Sequence, residues 1–467
     1  MSLMRNLIIW LLLSLGAFSA SMNDTVAQMI TKNHIKPEQV SIVIRSAQSG
    51  NLLVSHRPDT IRKPASVMKV LTTYSALLEL GGSFRWPTKF YYHGSYNKGT
   101  IKGDLVIKAY GDPTLSSKDI PHIIARLQKL GIKRITGDIV IDRSFFDVSE
   151  KISSGFDSHS FSEYNAMPDA MMFNDHLCTV IVKPQQNQIV AYKSTKDQSY
   201  EVVNNIKPTN KSCSGNRSWP RVLINTESTP PRVTLSGTLS LKCGPRYIQK
   251  LVTHAYESFY YTLRAEMLRY GISYHGQLRL AKVPAGARAL FTHYSKPLLQ
   301  IIAKTNKKSN NLYARHLLLL LGAKRYGTPA TESKGRKAIE EILGRLNLID
   351  KNAVVLDNGS GLSRKSRITA RVLAKILQDA NKRYGAAWRE TLSVAGIDGT
   401  IKKRFRHTVA KGRAWMKTGT LKDAKNIAGY VNSKSSGRLY TVVILYNGKE
   451  KWKGSSLQNQ IITWLAK

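Results

Sequence analysis

Ser66 and Lys69 stand three positions apart at the start of an apolar stretch, Ala65 to Leu80. On a helix, residues i and i+3 share a face, so the hydroxyl and the amine can meet. A serine is a weak nucleophile until a base takes its proton. A lysine is such a base once desolvation or a neighbouring cation lowers its pKa. A helix N-terminus also favours the negative charge that develops in acyl transfer. The spacing alone decides nothing, because Ser95-Tyr-Asn-Lys98 repeats it in a polar, glycine-flanked stretch.

Two later groups could complete such a centre. Ser309-Asn310-Asn311 follows one helical segment and opens another, and would serve equally well as a helix cap. Lys417-Thr418-Gly419-Thr420 occurs once, ahead of the strand-like run Asn426 to Val431. On a strand edge the lysine supplies a cation and the threonines supply hydroxyls. Gly419 would let a substrate backbone come close.

The elements that must position these groups are spread over 467 residues, enough for roughly three domains. Val67, Val70, Leu71, Tyr74, Leu77 and Leu78 recur at helical spacing between Pro64 and Gly81-Gly82. Upstream, Val40 to Arg45 and Leu52 to Ser55 read as strands joined by a turn at Gln48-Ser49-Gly50. Helical patterns dominate beyond Leu290: Pro297 to Lys304, Leu312 to Leu321, Lys334 to Leu346 and Thr369 to Asn381. An apolar strand, Leu439 to Tyr446, and a closing helix, Leu457 to Ala466, follow. Strands near both ends with helices between them predict one α/β domain whose sheet is built from both ends of the chain.

The middle of the chain differs. Ile101 to Lys108 and Ile135 to Asp142 each contain Gly-Asp feeding an apolar strand, and they enclose an amphipathic helix, Ile120 to Leu130. Val180 to Val252 reads as mostly β. The expected organisation is a catalytic domain of 21-83 and 286-467, an inserted β-rich domain of 84-97 and 156-285, and a second inserted α/β subdomain of 98-155.

Composition bounds the function. Apolar residues at 42% and charged residues at 22% are globular proportions. Three cysteines exclude a cysteine-rich scaffold and give no CxxC metal spacing. The formal charge of +41 draws polyanions, but the basic residues run along the whole chain and not in a detachable arm. Arg5, the apolar run Leu7 to Phe18, and the small residues Ala17, Ser19, Ala20 and Ser21 read as a secretory signal over residues 1-20. That places the mature chain outside the cytoplasm and excludes nucleic acid as its partner. There Cys213 and Cys243, flanking a strand-rich stretch, are permitted a disulfide, with Cys178 a buried thiol. Three reduced thiols are the alternative. Ile401 to Lys417 holds Lys402, Lys403, Arg404, Arg406, Lys411, Arg413 and Lys417 with no acidic residue, and Lys304, Lys307 and Lys308 precede Ser309. This cluster reads either as a solvated face or as an electropositive cleft.

In the order SxxK, SxN, KTG, the three groups resemble the penicillin-recognising serine enzymes. Gly111-Asp-Pro-Thr-Leu115, Ile135-Thr-Gly-Asp-Ile-Val-Ile-Asp142, Asp357-Asn-Gly-Ser-Gly-Leu-Ser-Arg364 and Ala395-Gly-Ile-Asp-Gly-Thr400 narrow this. They resemble the class C low-molecular-mass penicillin-binding proteins, the D-alanyl-D-alanine carboxypeptidase/endopeptidases. The resemblance runs from Val40 to Trp464. It implies a penicillin-binding transpeptidase/β-lactamase-like domain, an antiparallel sheet with helices on both faces. Two β-rich domains would be inserted between SxxK and SxN, which agrees with the 243 positions that separate Ser66 from Ser309. Small β-lactamases have no such insertion.

The resemblance also implies roles. Ser66 attacks the carbonyl of the penultimate D-Ala and Lys69 takes its proton. Lys417 and Ser309 help to hold Lys69 neutral and relay the proton to the leaving group. The backbone N–H groups of Ser66 and Thr420 form the oxyanion hole. Asn311 holds the substrate amide, Thr418 and Thr420 bind its terminal carboxylate, and Gly419 lies between them. No metal or cofactor is implied. Asp157 and Glu163 are candidates for the acidic residue with which some members greet the diaminopimelate side chain. The expected compartment is the periplasm. The expected partners are peptidoglycan stem peptides and β-lactam antibiotics. Peripheral contact with an anionic membrane or wall, and a homodimer, are left open. The rival readings are a serine β-lactamase and a catalytically idle, basic wall-binding protein.

Overall fold

A six-stranded antiparallel sheet carries Lys417 to Thr420. Its strand order is Ser393–Val394, Ala414–Leu421, Ala424–Asn432, Leu439–Tyr446, Val40–Ser46 and Leu52–His56. The computed structural model describes residues 22–467, and the segment read as a signal, 1-20, lies outside them. In the described residues the sheet does take strands from both ends of the chain.

Alternation along these strands sorts side chains between two layers of helix. Ile427, Val431, Val442, Ile444, Ile42 and Ile44 point to one face. They form a core with Met22, Val26 and Ile30 of the helix over residues 22–32, and with Leu457, Ile461 and Leu465 of the helix Lys451–Ala466. Positions between them serve the other face. Tyr430 donates to the carbonyl of Leu377 at 2.6 Å, and Thr441 donates to Gln378 at 3.1 Å, both on the helix Ala370–Arg389. Against that helix lies Lys69–Leu80, in which every residue from Lys69 to Leu77 is buried. Tyr74 packs edge-on against Tyr384 and Trp388 there. A helix buried nearly all round belongs in the middle of a unit, and its polar members Lys69, Thr72 and Thr73 are hydrogen-bonded there.

The described chain divides into two compact units. The first runs to Phe84 and resumes over Pro297–Arg325 and Glu332–Lys467; the second is Arg85–Lys296 with Tyr326–Thr331. The strand Arg288–Tyr294 belongs to the second unit, because it is hydrogen-bonded along Pro87–Asn97. Sequence patterning alone places residues 286 onward in the first unit, and the structure moves 286–296 to the second. Likewise Pro87–Asn97 and Thr100–Ala109 form one hairpin, so a single sheet crosses the boundary drawn at 97/98. Lys98 and Gly99, both at positive φ, make the tight turn that allows this.

In the second unit, Thr100–Ala109 pairs in parallel with Ile139–Asp142, and the helix Ile120–Lys129 lies between them in the chain, the predicted β-α-β pattern. Two three-stranded sheets, Glu201–Thr209 with Arg221–Asn225 and Arg232–Ser240, and Cys178–Gln185 with Gln188–Lys193 and Arg246–Lys250, enclose a core of Val180, Val182, Ile189, Val233, Leu235 and Ile248. Cys213 and Cys243 are joined by a disulfide at the edge of this core, and Cys178 is a buried free thiol whose pKa burial pushes well up.

Candidate active site

Ser66 sits in a single 3-10 turn, Ala65–Met68, and the α-helix proper begins at Lys69. The sequence pattern predicted helix from Ala65. The chain enters too sharply for that: Ala65 has φ +49°, so the first turn is wound tighter than an α-turn. Asn426, on the sheet, donates to the carbonyls of Lys63 and Pro64, each at 2.8 Å, and anchors this entry.

Lys69 is wholly buried and, among the described residues, hydrogen-bonds to no carboxylate. Its Nζ donates to Asn311 Oδ1 at 2.6 Å and to the Ser360 carbonyl at 2.6 Å, and lies 3.0 Å from Ser66 Oγ. Ser309 closes the helix Leu298–Lys308 in a left-handed conformation, φ +55°, and Asn311 opens the next helix, Asn311–Tyr326. This corner sends Ser309 and Asn311 to different lysines. Lys417 Nζ, also wholly buried, donates to Ser309 Oγ at 2.9 Å and to the Thr418 carbonyl at 2.8 Å.

Both amines are weak bases here. Burial, then the charges of Lys417 and Arg315, hold Lys69 well below an ordinary lysine, and burial brings Lys417 down to about 7. A neutral amine has two N–H groups and one lone pair. At Lys69 the two shortest contacts are pure acceptors, the Asn311 amide oxygen and the Ser360 carbonyl, and they use both N–H groups. A neutral Lys69 would then have its lone pair available to Ser66 Oγ, 3.0 Å away. The arrangement can therefore draw a proton from a serine hydroxyl, with a second lysine–serine pair on the other side of the 309–311 corner.

Gly419 lies on the Lys417 strand where it passes the Ser66 turn. A Cβ at Gly419 would stand 2.7 Å from the Pro64 carbonyl oxygen and 2.9 Å from Ser66 N, so only glycine fits. Thr418 donates to Thr400 at 2.8 Å, and Thr420 is exposed, accepting from Lys425 at 3.3 Å.

The sequence pattern of the D-Ala-D-Ala carboxypeptidase 3 (S13) family matches residues 22–467. The chain belongs to this family. It is 25% identical over 432 residues to the D-alanyl-D-alanine carboxypeptidase DacB of Haemophilus influenzae, covering 90% of this chain and 87% of that one. It is also 25% identical over 444 residues to a D-alanyl-D-alanine carboxypeptidase of Actinomadura sp., covering 92% and 81%. Its fold is that of penicillin binding protein 4 of Haemophilus influenzae, with a TM-score of 0.78 at 23% identity over 95% of this chain and 99% of that one. A predatory peptidoglycan endopeptidase of Bdellovibrio bacteriovorus has a TM-score of 0.52 at 17% identity, covering 91% and 92%.

Of the residues that the sequence singled out, this S13 chain gathers Ser66, Lys69 and Asn311 into one hydrogen-bonded group and Ser309, Lys417 and Thr418 into a second, the two joined through the 309–311 corner, with Gly419 against the Ser66 turn. Sequence reasoning missed the Ser360 carbonyl. The stretch Asp357 to Arg364 stood out only as family-like, since a main-chain acceptor leaves no side-chain signature. Its glycines were the available signal. Gly361 has φ +78°, and a Cβ there would stand 1.9 Å from the Ala65 carbonyl oxygen. Asn426 and the pair Lys307–Asp398, at 2.6 Å, were also missed. Asp157 and Glu163 belong to the second unit. Asp157 is engaged in its own loop, accepting from Tyr164, Asn165 and the backbone of His159. Glu163 is exposed. Among the described residues, no helix is long and apolar enough to cross a membrane.

Proposed function

We propose that this S13 carboxypeptidase acts through Ser66 as nucleophile and neutral Lys69 as its base. The observation that carries the reading is Lys69 Nζ 3.0 Å from Ser66 Oγ, with two shorter 2.6 Å contacts to acceptors that can take both N–H groups of a neutral amine. Ser66 Oγ adds to the carbonyl of the penultimate D-Ala as its proton passes to Lys69 Nζ. The oxyanion is met by the backbone N–H groups of Ser66 and Thr420. The proton then leaves with the amine of the terminal D-Ala, through Ser309 and Lys417. Water, deprotonated by Lys69, hydrolyses the ester. Asn311 holds the substrate amide, and Thr418 and Thr420 hold its carboxylate beside the cation of Lys417. A β-lactam enters the same path, and its ring opens to a stable ester on Ser66.

Cross-link cleavage is the same reaction with the leaving amine on the side chain of a second stem peptide, so the reading includes DD-endopeptidase activity. The basic surface, the disulfide and the N-terminal pattern support the periplasm as the compartment. The test is intact-protein mass after exposure to a penicillin, followed by release of D-Ala from a pentapeptide and digestion of a cross-linked muropeptide dimer. A single adduct on Ser66, slow label loss and D-Ala release are expected. Label loss within seconds would make the protein a β-lactamase, and absence of any adduct would leave only a wall-binding role.

A further inference from the structure

The second unit carries a cavity of about 430 Å³ beside the disulfide Cys213–Cys243, lined by Lys211, Asn216, Arg217, Trp219, Arg221 and Thr238 among others. The volume suits a ligand of one or two sugar rings. Its chemistry is lopsided. Three cations converge, and none of the described lining residues is acidic. Arg221 and Lys211 offer their charged groups to no carboxylate among the described residues, and Arg217 reaches only Ser212 and Ser214. Beside them the indole of Trp219 is 50% exposed, with the Arg246 guanidinium 5.9 Å from its ring.

The walls are held in place. The disulfide ties the 210–220 loop to the end of the strand Arg232–Ser240. Ser240 donates to the Lys211 carbonyl at 2.6 Å, and Arg246 donates to the Ser218 carbonyl at 2.8 Å. Gly237, at φ +89° in that strand, puts no side chain over Arg221. The cavity is therefore formed before any ligand arrives, which lowers the ordering cost of binding.

We propose that this cavity binds an anionic hexose, one unit of a glycan that carries a carboxylate or phosphate. An exposed indole beside arginines offers a flat apolar face to the C–H side of a pyranose ring. Arginine forks fit carboxylate and phosphate oxygens in pairs, and Asn216 and Thr238 supply neutral hydrogen bonds for hydroxyls. Given the proposed action on peptidoglycan, the first source is the wall glycan strand, whose muramic acid carries a free lactyl carboxylate wherever a stem peptide has been removed. A phosphorylated sugar of a lipid headgroup is the second source of the same chemistry.

The test is calorimetric titration of the whole protein with three probes: a peptide-free GlcNAc–MurNAc tetrasaccharide, a bis-phosphorylated glucosamine disaccharide and neutral chitotetraose. At least one anionic probe should bind, about tenfold or more tighter than chitotetraose. Trp219→Ala and Arg221→Gln should each weaken it by about tenfold. Penicillin labelling and D-Ala release from a soluble pentapeptide should stay at wild-type levels, which separates this site from the serine centre. Tetrasaccharide binding assigns the wall glycan, and binding of the phosphorylated probe alone assigns the lipid-type sugar. Equal affinity for chitotetraose, no binding of either anionic probe, or unchanged affinity in both variants would overturn the proposal.

Discussion

Lys417 acts on Lys69 through space: its charge is the largest contribution, after burial, to the weakened basicity of the nucleophile's partner. Among the described residues the two amines share no carboxylate partner, and the SxN corner stands between them, Asn311 against one and Ser309 against the other. Two buried cations without a counter-ion strongly favour loss of a proton, and the proton is what the chemistry must move.

The nucleophile is tested by Ser66→Ala. Ser66 is only half-buried, and its hydroxyl gives up one contact, 3.0 Å to Lys69 Nζ, so the variant should fold. Penicillin adducts should vanish in the intact mass spectrum, while the melting temperature stays within a few degrees of wild type, as for roughly ±0.5 kcal/mol surface changes. Undiminished labelling would move the reaction to another serine.

Stability should rise when function is lost at Lys417. Its folded pKa of about 7 lies below the 10.5 of a free lysine, so between those values the unfolded chain binds more protons. The cost of burying this lysine is therefore complete below pH 7 and fades as pH rises toward 10.5. Lys417→Met should stabilise the fold at pH 6 by up to about 5 kcal/mol, the full value of the shift, and by little near pH 10. Thermal unfolding across that range checks both size and sign. The variant should lose most carboxypeptidase activity. Its residual acylation should need a higher pH, because Lys69 without its neighbouring charge becomes more basic.

Close approach at Gly419 predicts a rate defect without global damage. Gly419→Ala brings a methyl against the Pro64 carbonyl and Ser66 N, so strand and turn must part by several tenths of an ångström. Acylation, followed by stopped-flow with a chromogenic β-lactam, should slow by tenfold or more, in line with about 1.4 kcal/mol or more of lost transition-state positioning. Wild-type acylation would mean that the strand does not abut the reacting carbonyl.

Charge steering can be tested more sharply than the sequence allowed. Lys402 and Lys403 are exposed two and three residues past Thr400, which accepts from Thr418. Arg404, in contrast, is tied to Gln458 and Asn459 of the last helix, and burial lowers its pKa to about 10. It should be left intact. Replacing Lys402 and Lys403 by Gln should flatten the salt dependence of kcat/KM for an anionic muropeptide without altering kcat, since exposed charges are screened over about 8 Å at physiological salt. Salt-independent kinetics in wild type would end the steering idea.

The residues that touch one another across the centre were legible because each motif is short and chemically specific. Ser66 with Lys69, Ser309 with Asn311, and Lys417 with Gly419 could be named from their own few neighbours. What could not be read is the support. Ser360 contributes a carbonyl, Asn426 anchors a turn at Pro64, 362 positions away in sequence, and Gly361 is needed for a close pass by Ala65. Such contacts are fixed by tertiary packing and leave no local pattern. The sheet was legible from alternation and apolar runs, whereas strand Arg288–Tyr294 was misplaced because nothing in a seven-residue strand names its partner.

The pairing of Val40–Ser46 with Leu439–Tyr446 joins segments about 400 residues apart. A chain emerging from its start holds the serine and the first lysine long before the strand that seats them exists. Closing so large a loop is slow, and everything between must be accommodated first. The hydrolase is thus latent by topology: a chain that stops short of Lys417 has its nucleophile but not the second lysine, and the sheet that carries Lys417 is complete only once Leu439–Tyr446 joins Ala424–Asn432 to Val40–Ser46.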